Sequence, residues 1–249
     1  MTEVAPNVFC ISGTDVNVVV LREDSNLTLI DGGWPGDVAA VEDAIRSIGN
    51  RPEDVRAILL THAHIDHLGA VQYFHERFNV PVYADPIEVH HAAREYLEQA
   101  TEADVMKGPM PQTTDWWERV LKVGAATSIK ITDVKPLSHG PLDVPGRPVA
   151  VATHGHTSGH CAFYVPAARV VVTGDALVTG HACSTIRGPQ LLPWFFNHSV
   201  PETLSALEAL KNVDADIIIP GHGPPLNMPI AEAVEIALKK ADDGGLHKH

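Results

Sequence analysis

Hydrophobic positions come in short runs in the first third of the chain, and polar turn residues separate these runs. β-branched residues dominate positions 8–11, 16–21 and 27–30. Short apolar runs bounded by turn residues are typical of adjacent antiparallel strands. Over residues 37–48 the apolar positions recur at helical spacing instead, and Gly49 follows as a stop signal. We therefore predict three strands followed by a helix.

Strands and helices continue to alternate through the rest of the chain. We predict strands at residues 57–60, 80–84, 149–152, 162–165, 170–173 and 216–219, and helices at residues 68–78, 86–100, 201–211 and from 229 onward. This alternation predicts an α/β domain with sheets inside and helices outside. We expect a single domain over residues 1–249, with an insertion at about residues 104–130.

Composition and charge narrow the classes of protein. The chain is 45% hydrophobic and 20% charged, as in soluble globular proteins. Its net charge of −13 disfavours a nucleic-acid partner, since such partners require a positive surface. The first residues lack the features of a signal peptide, and no apolar run is long enough to span a membrane. The three cysteines lack paired spacing. We expect a cytoplasmic protein without a membrane partner.

The strongest chemical signal follows the strand predicted at residues 57–60. His62, His64, Asp66 and His67 lie within six residues. Side chains two apart in an extended segment point the same way, so His62 and His64 can bind one ion. Asp66 and His67 lie where the next helix starts and can face a second ion. Structural zinc sites favour closed, cysteine-rich cages, so this cysteine-free pattern indicates a catalytic metal site.

This HxHxDH pattern resembles the metallo-β-lactamase superfamily, and three later segments match that family in order. Residues 153–160 (THGHTSGH) resemble its TPGHTPG turn, residues 172–175 its strand-ending GD, and residues 220–223 its PGHG. The resemblance spans about residues 8–223. It implies a four-layer αββα sandwich with the metals at one edge.

The resemblance also implies a full ligand set for two divalent metal ions. The first ion would be bound by His62, His64 and His156, the second by Asp66, His67 and His222, and Asp175 would bridge both. Zinc (Zn2+) is the expected metal, although the same donors accept manganese, iron or cobalt. The implied reaction is attack of a metal-bridging hydroxide on a carbonyl carbon, with Asp66 as the catalytic residue that passes a proton to the leaving group.

Asp175 favours one branch of the superfamily. The β-lactamases resembled here usually lack the bridging aspartate, whereas glyoxalase II, lactonases and thioesterases have it. Glyoxalase II itself fits poorly, because only 27 residues follow His222. We therefore expect a lactonase- or thioesterase-like hydrolase that cleaves an ester, lactone or thioester bond of a small molecule.

Three alternatives stay open at this point. The first is a β-lactamase-type amide hydrolase. The second is a persulfide dioxygenase of the same fold, which would use one iron bound by two histidines and an aspartate. The third is a binding module that has lost catalysis. The presence of both His67 and His222 favours two metals over one.

Three further residues are candidates for contacts around the metals. His160 flanks His156 and could support a ligand from behind, and His181 follows Asp175 closely enough to touch substrate. Trp194 lies in an aromatic segment that could line an apolar channel. The alternatives are ordinary turn residues, and packing or dimer contacts for the tryptophan. The chain could be a monomer or a homodimer.

Overall fold

Two β-sheets form the centre of the molecule, in a computed structural model that describes residues 1–106 and 112–244. The first sheet has the order β1 (Thr2–Ala5), β2 (Val8–Ser12), β3 (Asn17–Glu23), β4 (Asn26–Ile30), β5 (Val55–Leu59), β6 (Val82–Ala84) and β7 (Lys135–Pro136). The second has the order β12 (Leu226–Asn227), β11 (Ile217–Pro220), β10 (Val170–Gly174), β9 (Cys161–Val165) and β8 (Val149–Ala152). Pairing is antiparallel from β1 to β4 and parallel from β4 to β7.

Helices cover the outer faces of both sheets. They are α1 (Val38–Ser47), α2 (Ile65–Phe78), α3 (Pro86–Ala92), α4 (Glu102–Val105), α5 (Gln112–Lys122), α6 (Val200–Lys211) and α7 (Ile230–Gly244). No helix among the described residues is long and apolar enough to cross a membrane. Part of the expected insertion, residues 107–111, and the end of the chain with His247 and His249 lie outside the described residues.

The strands are apolar on both faces because each sheet is buried on both sides. In β3, Val18 and Val20 pack towards the helices, whereas Val19 and Leu21 pack between the sheets. Successive side chains of a strand point to opposite faces, so one run of valines serves two cores. Phe163 of β9 lies in the core between the sheets, and Leu207 of α6 packs on the outside of the second sheet. The predicted four-layer αββα sandwich is confirmed.

One predicted helix was wrong in its extent. We expected a helix over residues 86–100, but α3 ends at Ala92. Arg94 has a left-handed backbone with a φ of 55°, and its amide bonds back to the carbonyl of His91. The chain then leaves the helix and brings Glu98 to the edge of the sheets, where it contacts the loop that carries Ser158.

The two sheets are joined at the edge where β5, β10 and β11 end. The amide of Cys161 donates to the carbonyl of Thr61 at 2.9 Å. The side chain of Asn17 donates to the carbonyls of Pro220 and Gly223, at 2.9 and 2.7 Å. These bonds fix the loops that leave the two sheets relative to one another.

Gly69 marks the closest approach of α2 to the loop after β4, and this contact generates a prediction. A Cβ atom at position 69 would lie less than 3.0 Å from the backbone of Trp34. Alanine usually stabilises a helix interior relative to glycine by about 0.5–1 kcal/mol. We expect Gly69→Ala to lower the free energy of unfolding instead, by about 1–3 kcal/mol, because the backbones must separate.

Urea unfolding measures this difference, with Glu76→Ala as the control. Glu76 is exposed on the same helix, and surface substitutions change stability by about 0.5 kcal/mol or less. A Gly69→Ala protein as stable as the parent would contradict the close packing.

Candidate metal centre

The loops at one edge of the two sheets bring seven metal-binding side chains together. They follow β5, connect β8 to β9, and follow β10 and β11. Ligand atoms within 4.8 Å of one another form three groups: His62, His64 and His156; His62, His67 and Asp175; and Asp66, His67 and His222. The structure thus brings together all seven residues that the sequence pattern indicated.

Asp175 lies between the groups. Its Oδ2 atom is 3.4 Å from Nε2 of His156 and 3.2 Å from Nε2 of His222. Its Oδ1 atom is 3.7 Å from Nε2 of His67. One carboxylate therefore faces ligands of both sites.

Unsatisfied atoms show that the residues fit metal ions. Nε2 of His62, Nε2 of His67 and Oδ1 of Asp175 are buried and lack hydrogen-bond partners among the described residues. Buried polar atoms are normally bonded, so unpaired ones that converge on one point require another partner. Nitrogen and oxygen donors in this arrangement suit a divalent metal ion.

The opposite nitrogen of each imidazole is held by the protein. His62 Nδ1 lies 3.0 Å from Oγ1 of Thr61, and His156 Nδ1 lies 3.2 Å from Oδ1 of Asn197. His222 contacts the backbone carbonyl of Asp15. His64 is reversed: its Nε2 contacts the carbonyl of Glu98, and its Nδ1 faces the centre, 3.0 Å from His156 Nε2. Such outer bonds fix ring orientation and leave one nitrogen free for a metal.

Neighbouring carboxylates favour protonation of two of the histidines. Burial alone would lower the pKa of His67, but the charges of Asp31, Asp66 and Asp175 raise it to about 9. The pKa of His222 is likewise raised despite its burial, mainly by Asp175. Burial acts to raise the pKa of Asp66, but the charges of His67 and His222 hold that pKa below its usual value. Protons on His67 and His222 thus supply the positive charge that balances the neighbouring carboxylates, a role that a metal cation would take over.

The other ligand histidines are held neutral. Burial lowers the pKa of His64 to about 4, and it also lowers the pKa values of His62 and His156. Neighbouring imidazoles add to the effect on His62. Neutral imidazole is the form that binds metal ions, so this half of the centre is prepared for binding.

Asp31, at the end of β4, supports two ligands and was not indicated by the sequence pattern. Its Oδ2 atom accepts from Oγ1 of Thr61 at 2.7 Å and lies 2.8 Å from Nδ1 of His67. Its Oδ1 atom accepts from the amide of Thr61 at 2.8 Å. One buried carboxylate therefore fixes both the orientation of His67 and the start, at Thr61, of the loop that carries His62 and His64.

Glu88 of α3 joins two ligand loops. This fully buried carboxylate accepts from the amide of Ala63 at 2.7 Å and from Oγ1 of Thr157 at 2.7 Å. Its third partner is Nδ1 of His91, at 2.6 Å. Ala63 lies between His62 and His64, and Thr157 follows His156. Helical spacing places Glu88 and His91 on one face of the predicted helix, but the sequence pattern did not indicate that this face is buried.

Glu98 repeats this role closer to solvent. Its carboxylate accepts from the amide and the hydroxyl of Ser158, at 2.7 and 2.6 Å, while its backbone carbonyl contacts His64. The predicted helix hid this residue, because a continuous helix would have carried Glu98 away from the loop.

His160 lies behind Asp175. This position agrees with the expectation that His160 supports a ligand residue rather than serving as an ordinary turn residue. Its Nε2 atom accepts from the amide of Asp175 at 3.0 Å, and its Nδ1 atom lies 2.8 Å from Oγ1 of Thr153. The ring is fully buried. It therefore positions the backbone of the shared carboxylate.

A cavity opens onto the ligands, with an aromatic wall. Its lining includes Asp66, Asp175 and His222, together with the aromatic rings of Trp34, Trp116, Trp117 and Phe196. His181 also lines this cavity. Trp194 does not: its side chain is 44% exposed, and Leu192 and Phe196 of the same segment line the cavity instead.

Gly221 lies directly against the shared carboxylate of Asp175, where there is no room for a side chain. A Cβ atom at this position would lie less than 3.0 Å from Oδ1 of Asp175. Any other residue would press on the shared carboxylate, so the glycine before His222 is a steric requirement of the site.

The position of Glu88 generates a prediction about metal affinity. Glu88→Gln removes the charge that binds both loops and should weaken metal binding by about 10–100-fold, the range for loss of a group that orients ligands. Chelator competition measures this affinity. Glu95→Gln, an exposed neighbour paired with His90, is the control and should leave affinity unchanged. Equal affinities in both variants would contradict the role of Glu88.

The raised pKa values of His67 and His222 generate a second prediction. Both histidines hold a proton at pH 7 without metal, so metal binding should release about two protons. Affinity should rise with pH, and the rise should become less steep above about pH 9, where His67 has lost its proton. Calorimetry in buffers of different ionisation enthalpy counts the protons, and Asp31→Asn should reduce the count. An affinity independent of pH would refute this assignment.

The sequence matches relatives along most of its length. Two proteins of Bacillus subtilis (strain 168) are similar: "Probable metallo-hydrolase YqgX" is 29% identical over 84% of this chain and 85% of its own. "Probable metallo-hydrolase YflN" is 25% identical over 82% of this chain and 78% of its own.

Solved structures share the fold. The metallo-beta-lactamase family protein TTHA1429 from Thermus thermophilus superimposes with a TM-score of 0.67 at 23% identity, covering 97% of this chain and 81% of that one. The profile of the metallo-beta-lactamase superfamily matches residues 11–222, which include all seven converging side chains. The chain belongs to the metallo-beta-lactamase superfamily.

Proposed function

We propose that the protein is a hydrolase with two divalent metal ions, zinc foremost, that cleaves an ester, lactone or thioester bond of a small molecule. The position of Asp175 between the two ligand groups carries this proposal. A shared carboxylate suits a pair of ions, which together lower the pKa of a water molecule and polarise a carbonyl group. The names of the two Bacillus relatives support hydrolysis.

Asp66 is the proposed catalytic residue. It lines the cavity, and its Oδ2 atom lies 3.4 Å from Nε2 of His222. Its low pKa keeps it a carboxylate, which can accept the proton released as water adds to the carbonyl carbon. Asp66 then passes this proton to the oxygen or sulfur atom that leaves.

The cavity favours an uncharged substrate group. Among the described residues that line it, none is a lysine or an arginine, and four are tryptophan or phenylalanine. Such walls suit an acyl chain or a ring. The net charge of −13 also argues against a polynucleotide substrate.

The proposal is tested with a substrate panel on metal-replete protein: an acyl-homoserine lactone, an acyl thioester, S-lactoylglutathione and a chromogenic cephalosporin. We expect turnover of the lactone or the thioester, lost on chelation and reduced at least 100-fold in Asp66→Ala, since general acid–base catalysis contributes about 10²–10⁴-fold. The control is Asp43→Ala, an exposed carboxylate of α1.

Other results select the alternatives. Turnover of the cephalosporin alone would favour amide hydrolysis. One iron per chain, with oxygen-dependent oxidation of a persulfide, would favour the dioxygenase. Full activity in Asp66→Ala would refute the proposed proton transfer.

A further inference from the structure

His181 lies beside the metal centre without belonging to the ligand set. Its ring is 4.9 Å from the ring of His222, at an angle of 85°. Its other neighbours are aromatic: Trp116 at 5.2 Å and Phe196 at 5.0 Å between ring centroids. The residue is only 8% exposed, and it lines both the cavity that opens onto Asp175 and a second cavity bounded by Asp15 and Arg187.

The hydrogen bonds of His181 determine which nitrogen carries the proton. Its Nδ1 atom accepts a hydrogen bond from the backbone amide of Cys183 at 3.0 Å. A ring nitrogen that accepts from an amide carries no hydrogen, so the proton of the neutral ring lies on Nε2. The protein backbone therefore holds this histidine as an Nε2–H donor.

That donor has no partner in the protein. Nε2 of His181 forms no hydrogen bond with any described residue, yet it is not among the unsatisfied atoms that are sealed from solvent. It belongs to none of the groups that could hold a metal ion. Because a protonated nitrogen cannot bind a metal, the free N–H is available to a ligand in the cavity.

We propose that His181 donates a hydrogen bond from Nε2 to the substrate oxygen that becomes negatively charged on the His222 side of the metal centre. The assignment rests on the proposed hydrolysis, in which the carbonyl oxygen gains charge as water adds to the carbonyl carbon. The rings of Trp116 and Phe196 reduce the contact of the His181 ring with water, and a hydrogen bond to a developing charge is stronger in such surroundings.

The test compares two substitutions of His181 with opposite chemistry. His181→Phe keeps a ring between Trp116 and Phe196 but removes the donor, whereas His181→Gln keeps an N–H group of similar reach. Removal of one such donor costs about 10²–10³-fold in turnover. We expect His181→Phe to lose that factor in kcat with KM nearly unchanged, and His181→Gln to recover at least tenfold. His90→Phe, an exposed histidine of α3, should leave both constants unchanged.

Two further readouts do not require turnover. Calorimetry with phenylphosphonate, a tetrahedral anion, should show at least tenfold weaker binding to His181→Phe than to the wild type, at equal metal content. The ¹⁵N NMR spectrum of the His181 ring should show the proton on Nε2. A proton on Nδ1, or equal phosphonate affinity in wild type and His181→Phe, would overturn the assignment.

The outcomes separate this assignment from the proposed reaction. If no substrate of the panel is hydrolysed but phosphonate binding still depends on His181, the donor role stands and the reaction class is wrong. If hydrolysis proceeds equally well in His181→Phe, the reaction stands and the donor role is wrong. Loss of metal from His181→Phe and His181→Gln alike would overturn the donor role in favour of a structural one.

Discussion

The crowding of five imidazoles and two carboxylates at a largely buried edge of the two sheets is the constraint on which this structure depends. The rings of His62 and His67 are 4.1 Å apart, and those of His62 and His64 are 4.4 Å apart. Burying such groups unpaired is costly. Each therefore needs hydrogen-bond support on the side away from the centre and a cation on the side that faces it. The protein supplies the hydrogen-bond support through Asp31, Glu88 and backbone carbonyls. The cations are either metal ions or the protons held by His67 and His222.

This constraint explains why rigid elements surround the site. The loops that carry the ligands begin directly at the ends of β5, β10 and β11, within one or two residues of paired backbone. Helix α3 lies across the loops from the two sheets, and Glu88 makes one hydrogen bond to each. A displacement of one loop is therefore transmitted to the other. The metal site and the junction between the two halves of the sandwich are stabilised by the same few hydrogen bonds.

The sequence predicted what depends on local pattern. The apolar runs located most long strands and helices, and the ligand motifs located the seven side chains that converge, because each motif lies directly after a strand. It missed β7 and β12, which have only two residues each, and β1, whose partly exposed residues form no apolar run. It also missed Asp31 and the role of Glu88, because their partners lie 25 to 69 positions away in the chain. Tertiary contacts of this kind leave no periodic trace.

Gly221 extends the idea of a metal site beyond the atoms that bind metal. The carboxylate of Asp175 occupies the volume that any larger residue at position 221 would fill. The site therefore requires that position 221 have no side chain, and the ligand residues alone do not reveal this requirement. A designer who transplanted the seven side chains onto another scaffold would have to transplant this empty space as well. The same holds for a search of unknown sequences, in which the glycine before the last histidine carries as much geometric information as the histidine itself.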